Sequence, residues 1–217
     1  MTQPDIVTID VGFQGIPSAI AVYAIPHHHG VALVECGPGS TLAQLDNGLR
    51  EHCYHLCEIT HVFLTHIHLD HAGAAGRLAR QGTRIHVHPQ GAPHLVDPTK
   101  LLASANRIYG SQMDSLWGEF LPVPIERISV LHDGAVIDLA PFTITALDTP
   151  GHANHHLVYI LDGACFTGDI GGVRLSRTDP ISLPMPPPDF HLELWRNSLE
   201  RLLHLPLRQI IPTHFGI

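Results

Sequence analysis

Positive charge is scarce in this chain. Its 217 residues carry 12 Lys and Arg against 20 Asp and Glu, a net charge of −8 with neutral histidine. Gripping a nucleic-acid backbone needs the opposite balance, and no Lys/Arg cluster offsets the deficit, so a nuclease or RNA-processing role is disfavoured. No apolar run reaches the length of a membrane span. The N-terminus, with Pro4, Asp5 and Asp10 and no basic start, lacks the pattern of a secretory signal. Cysteine is sparse too: Cys36, Cys53, Cys57 and Cys165, none in a C-x-x-C pair. Cys53 and Cys57 stand one helical turn apart, a spacing that suits two thiols on one helix face better than a disulfide framework. The expectation is a reduced, cytoplasmic protein whose cysteines serve packing.

Histidine is in excess: 19, more than Lys and Arg together, and scattered along the chain rather than gathered in a tag. Imidazole is the commonest metal ligand and the near-neutral proton carrier, so the excess points to metal chemistry. With 44% hydrophobic and 15% charged residues the chain has ample core material, and its length suits one domain over residues 1–217.

Short β-rich runs at 5–11, 18–25 and 30–35 open the chain. Gly37-Pro38-Gly39 then breaks it, and Ser40 is placed to cap a helix with Leu42, Leu45, Leu49, Cys53 and Leu56 at helical spacing. Residues 59–64 read as a buried strand, 72–81 as a small-residue helix and 84–88 as another strand. The span 100–117 reads as one amphipathic helix. Strands or hairpins follow at 128–138, 142–148, 157–161 and 165–167. The proline-rich stretch 183–188 predicts an extended loop. Asp189 is placed to cap a last helix carrying Leu192, Trp195, Leu199, Leu202 and Leu203, before a strand at 209–211. Strands mixed with helices suggest layered sheets covered by helices.

The densest chemical signal is Thr65-His66-Ile67-His68-Leu69-Asp70-His71, between a buried strand and a helix. Four donors so close cannot all reach one ion from a regular strand, because alternate side chains point to opposite faces; a loop at the strand's end can splay them. Three more donors repeat the grammar of a polar residue just past an apolar strand: His152, Asp169 and His214. Taken together, H-x-H-x-D-H followed by H, D and H is a specific pattern for a paired-metal site.

On these residues the chain resembles the metallo-β-lactamase-fold superfamily, from the early strands to His214. The resemblance implies an α/β (α+β) fold, a four-layer αββα sandwich of two mixed β-sheets flanked by helices. It implies that His66, His68 and His152 hold one metal, that Asp70, His71 and His214 hold a second, and that Asp169 bridges them. Zinc is the usual occupant, two per chain, with iron or manganese in some branches. His68 stands where the flavo-diiron branch carries Glu, and Asp169 where most true zinc β-lactamases carry Cys. The pattern looks more like the glyoxalase-II, lactonase and phosphodiesterase-like hydrolases.

The implied function is cleavage of an ester, thioester or lactone bond of a small molecule by a hydroxide shared between two cations, with Asp70 orienting the nucleophile. The alternatives are a mononuclear iron persulfide dioxygenase on the same fold and, behind it, a phosphodiesterase or nuclease. Arg174 and His155 are candidate substrate contacts. Thr65 and Asp148 are candidate partners for ligand imidazoles. Tyr109 and Trp117 are expected in the core, His86 and His88 as structural, and His27 to His29 as an exposed turn. The expected partner is a small-molecule substrate, with a homodimer allowed and neither membrane nor nucleic acid engaged. Only three residues follow His214, which fits either a compact member or a chain lacking a C-terminal substrate-binding segment.

Overall fold

The computed structural model describes residues 4–174, 179–186 and 189–215. One sheet holds β1 (Val7–Asp10), β2 (Ala21–His27), β3 (Gly30–Val34), β4 (Ile59–Phe63), β5 (Arg84–Val87) and β6 (Ile128–Val130), adjacent in that order. Its first two pairings are antiparallel and the next three parallel. The second sheet holds β7 (Val136–Asp138), β8 (Thr143–Asp148), β9 (Leu157–Leu161), β10 (Ala164–Phe166) and β11 (Gln209–Ile211), ordered β11-β10-β9-β8-β7. Only the β10–β11 pair is parallel there.

The period of two along β2 shows why the strand reads as an unbroken apolar run. Val22 and Ala24 face the outer helices, while Tyr23 and Ile25 face the other sheet, so both faces are dry. Between the sheets Tyr23, Ile25 and Phe63 meet Tyr159, Phe166 and Ile211. Helix α1 (Leu42–Glu51) buries Leu45 and Leu49, four residues apart, on the outer face of the first sheet. The short helices α2 (Leu69–Ala72), α3 (Ala75–Ala79) and α4 (Ala92–Val96) extend that layer. Helix α5 (Thr99–Tyr109) and α6 (Met113–Trp117) pack on Leu69 through Ala105 and Trp117. Helix α7 (Leu192–Leu203) covers the second sheet, setting Trp195 and Leu202 against Val158 and Cys165. The layers run helix, sheet, sheet, helix, the expected αββα sandwich. Among the described residues no helix is long and apolar enough to cross a membrane.

Several local expectations are corrected. Helix α1 stops at Glu51 and Cys53 turns to φ 64°, so Cys53 and Cys57 share no helix face. Both are exposed and all four cysteines are free; only Cys36 and Cys165 pack in the core. Ser40 does not cap α1: its hydroxyl donates to the Leu116 carbonyl, and Thr41 holds the cap position. The 72–81 helix is two short pieces, starting earlier at Leu69. The 100–117 helix breaks where Gly110 adopts φ 51°. The run 128–138 is two strands belonging to different sheets. Asp189 does not cap α7; the His191 side chain accepts from the Leu194 N–H instead. The proline-rich stretch is neither helix nor strand from Leu183 to Pro186, and its last two residues lie outside the described ones.

Candidate metal centre

All seven expected ligands lie past strand ends on one rim of the sandwich. His66 and His68 follow β4, and Asp70 and His71 occupy the first turn of α2. His152 follows β8, Asp169 sits in the single turn after β10, and His214 follows β11. Backbone bonds tie these loops across the sheets: Leu157 N–H to Thr65 C=O at 2.7 Å, and Ala21 N–H to Thr213 C=O at 2.8 Å. Two glycines permit the close approach. At Gly168, with φ +50°, a Cβ would lie 2.5 Å from Thr65 Oγ1; at Gly151, with φ +139°, it would collide with the Trp195 backbone.

Three imidazole nitrogens converge first. His66 Nε2 is 2.9 Å from His68 Nδ1, and His152 Nε2 is 3.2 Å and 3.0 Å from the same two atoms. Nitrogens bound tetrahedrally to one zinc stand roughly 3.3 Å apart, from bond lengths of about 2.0–2.1 Å. A second group lies beside the first. Asp70 Oδ2 is 3.5 Å from His71 Nε2 and 3.3 Å from His214 Nε2. Asp169 faces both groups: Oδ2 is 3.2 Å from His152 Nε2, and Oδ1 is 3.3 Å from both His71 Nε2 and His214 Nε2. The ligand atoms of His66, His68 and His152, of His66, His71 and Asp169, and of Asp70, His71 and His214 each fall within 4.8 Å of one another.

The far ring nitrogens fix which face of each imidazole is free. His66 Nδ1–H donates to Thr65 Oγ1 at 3.0 Å, His152 Nδ1–H to the Pro184 carbonyl at 3.0 Å, and His214 Nδ1–H to the Ala19 carbonyl at 2.9 Å. His71 Nδ1–H donates to Glu35 Oε1 at 3.0 Å. With the proton held there, Nε2 presents a lone pair to the centre. Yet His71 Nε2 and Asp169 Oδ1 are buried without a hydrogen-bond partner. Buried orphans of this kind, an imidazole lone pair against a carboxylate oxygen, fit a cation between them.

Glu35 is the functional residue that sequence reasoning missed. It is fully buried just past β3, at φ 66°, a conformation that costs a non-glycine residue about 1–2 kcal/mol. There its Oε1 accepts from the Thr65 hydroxyl at 2.5 Å, from His71 and from the Thr213 hydroxyl at 3.1 Å, and Oε2 accepts from the Thr65 N–H at 3.3 Å. One carboxylate thereby positions the loops after β4 and β11 together. The available signal was an acid inside the apolar run 31–36, since unpaired acids are almost never buried.

The electrostatics divide the centre. Burial, reinforced by neighbouring imidazoles, holds His66 well below the ordinary histidine pKa and His68 down to about 4. Burial lowers His152 as well. Burial also opposes charge on His71 and His214, but there the surrounding carboxylates prevail: Asp70, Glu35 and Asp169 hold His71 well above its usual value, and Asp169 and Asp70 hold His214 up to about 10. Burial works against ionising Asp70 and Asp169, yet the adjacent His71 and His214 keep both below the usual carboxylate range. One half thus offers neutral donors and the other is built to receive positive charge.

A cleft of about 610 Å³ opens over this floor. His155 lines it, with its ring 5.9 Å from that of His68. Arg174 does not line it: its Nε–H donates to the Asp179 carbonyl and its N–H to the His214 carbonyl, so it braces the His214 loop. Trp117 is buried in a core cluster as expected, with Tyr109 only partly buried against it, edge to face at 5.0 Å, and both also line the cleft. Thr65 orients a ligand imidazole as expected; Asp148 instead approaches His88, at 3.4 Å.

Comparison with known proteins places the chain. The Metallo-beta-lactamase superfamily profile matches residues 15–214. A metallo-beta-lactamase fold-containing protein of Sulfurisphaera tokodaii is 22% identical over 214 residues, 97% of this chain and 78% of that protein. An atrochrysone carboxyl ACP thioesterase of Aspergillus fumigatus is 33% identical over 117 residues, which are 53% of this chain and only 28% of the thioesterase. In three dimensions a metallo-beta-lactamase family protein of Thermus thermophilus superposes with a TM-score of 0.77 at 21% identity, over 100% of this chain and 74% of that one. With the profile spanning nearly its whole length, the chain belongs to the metallo-β-lactamase superfamily.

Proposed function

We propose that this protein is a dinuclear metal-dependent hydrolase that cleaves an ester, thioester or lactone bond of a small molecule, with zinc as its native metal. The observation that carries the reading is Asp169, one oxygen turned to each donor group, between two sets of buried imidazoles. His66, His68 and His152 would hold one cation, and Asp70, His71 and His214 the other, with Asp169 shared. Five imidazoles and two carboxylates without a thiolate suit zinc and equally admit iron or manganese. Two cations so held would supply a water of near-neutral pKa and a Lewis acid for the substrate carbonyl.

The chain's own groups do the rest. Asp70 lines the cleft as well as the donor cluster, so its ionised carboxylate would orient the attacking water, accept a proton from it and hand that proton to the leaving group. Glu35 keeps the His71 proton on Nδ1 and so fixes the ring. Leu101, Ala105, Ile108 and Trp117 give the cleft an apolar wall against which an acyl group can lie. The thioesterase activity named for the Aspergillus fumigatus relative accords with this substrate class.

Elemental analysis of protein purified without added metal, followed by turnover of thioesters, lactones and phosphodiesters, tests the reading. Near two zinc per chain and chelator-sensitive thioester or lactone hydrolysis are expected. One iron per chain, with oxygen uptake on a persulfide, would replace this reading with the dioxygenase.

A further inference from the structure

The cleft wall carries a cation that the hydrolytic chemistry does not use. Lys100 is the only lysine in the sequence, and it lines the cleft from the first turn of α5. A cation there opposes the helix dipole, so helix stability does not account for it. Asp97, two residues before the first residue of α5, accepts from the Thr99 N–H and hydroxyl, at 3.1 and 2.6 Å, so its carboxylate is engaged there. Lys100 itself forms no hydrogen bond or close ion pair among the described residues, and the exposed Asp97 feels its charge. Several arginines, by contrast, are paired: Arg50 with Asp46, Arg77 with Glu119, Arg201 with Asp133 and Arg208 with Asp162.

Its neighbours define a polar end of the cleft. Ser104, one turn further along α5, and His94 of α4 line the same wall. The opposite end of α5 carries Tyr109, whose phenol feels the charge of Asp70, and the nine helical steps from Lys100 to Tyr109 span roughly 13 Å. Between them Leu101, Ala105 and Ile108 form an apolar stripe, faced by Met185. Outside the ligand set, Asp189 is the only acid lining the cleft among the described residues.

Resting on the hydrolytic reading for the identity of the reacting end, we propose that Lys100 is a specificity residue that binds an anionic group, carboxylate or phosphate, at the far end of an apolar substrate. The preferred substrate class is then an amphipathic ester, thioester or lactone. Its scissile carbonyl lies at the Asp70 end, an aliphatic segment runs along α5, and a negative terminus reaches Lys100.

Equilibrium binding tests this without requiring turnover. Calorimetry on the metal-loaded protein compares α,ω-dicarboxylates from adipate to sebacate with monocarboxylates of equal length. The matching ω-phosphonocarboxylates separate phosphate from carboxylate preference. Wild type is expected to favour the doubly charged ligand about ten-fold at the best length. Lys100→Met should remove that preference, Lys100→Arg should keep most of it, and added salt should weaken it in wild type. Equal preference in wild type and Lys100→Met would overturn the proposal. Turnover of a neutral aryl ester, with and without chelator, reports separately on the reaction. A protein that reads the second charge through Lys100 but hydrolyses nothing keeps this subsite and loses the hydrolytic reading; the converse loses only the subsite.

Discussion

Two histidine clusters border the first sheet, one on the rim it shares with the second sheet and one on its face, and among the described residues only the former has the makings of a metal centre. In the second, His61 Nδ1 is 2.8 Å from His86 Nε2, His86 stacks on Phe63 at 4.3 Å, and His27 bonds the Thr60 hydroxyl at 2.7 Å. No carboxylate pairs with these rings among the described residues. Burial lowers all three, His61 to about 4 and His86 to about 3, with nearby charges adding to the effect. At the centre burial acts in the same direction, but Asp70, Asp169 and Glu35 overrule it at His71 and Asp70 and Asp169 at His214. Imidazoles alone therefore give a quiet, neutral core; imidazoles around shared carboxylates give a place for cations.

The comparison can be broken at several points. Removing bound metal should have the largest effect. Metal held only by the folded state contributes about 4 kcal/mol at a thousand-fold excess over Kd. Chelation should abolish turnover and lower Tm by roughly 8–16 °C, at about 2–4 °C per kcal/mol; an unchanged melting curve after verified metal removal would contradict the assignment. Asp169→Ala strips the one carboxylate that faces both donor groups, leaving Asp70 and Glu35 on the His71 side. It should leave at most one metal per chain and cut kcat/KM by more than about 100-fold, beyond what supporting residues are worth. His68→Ala belongs in the same range, and near-full turnover in either variant would count against the site.

Glu35→Gln keeps shape but removes the negative charge beside His71 and turns one of the two acceptor oxygens into a donor, which cannot serve both His71 and the Thr65 N–H. A 10- to 100-fold loss of metal affinity is expected, measured by competition with a chromogenic chelator. Wild-type affinity in this variant would reduce Glu35 to a packing role. The smallest effect belongs to the second cluster. His61 and His86 have folded pKa values of about 4 and 3, below the ordinary 6.5, so the unfolded chain binds more protons between these limits. Their contribution is complete above pH 6.5 and is lost as pH falls toward 4 and then 3. A His61→Leu, His86→Leu variant should lose less stability than wild type on acidification. The difference should be on the order of 1 kcal/mol, reduced because His61 is half-exposed. Parallel acid melts in the two proteins would sink the comparison.

The seven converging donors were legible because each follows an apolar strand, and strand ends in neighbouring positions must converge. The surroundings were not. Periodicity runs smoothly from Lys100 through Trp117, so nothing announces that Gly110 breaks the helix and swings Trp117 back onto Phe13, 5.4 Å away, as a cleft wall. Arg174 follows the Asp169 turn closely in sequence, and adjacency there suggests a substrate contact; the fold commits it to the His214 loop and leaves the cleft to Lys100. Glu35 was hidden because a strand-end acid usually faces water, and its partners lie about 30 to 178 residues away.

The donors come in two batches, four from the segment after β4 and three from loops of the other sheet. Neither batch alone can cage a pair of ions. A pair of ions held here would therefore require β11 docked beside β10, and their release would report a parting of the seam between the sheets.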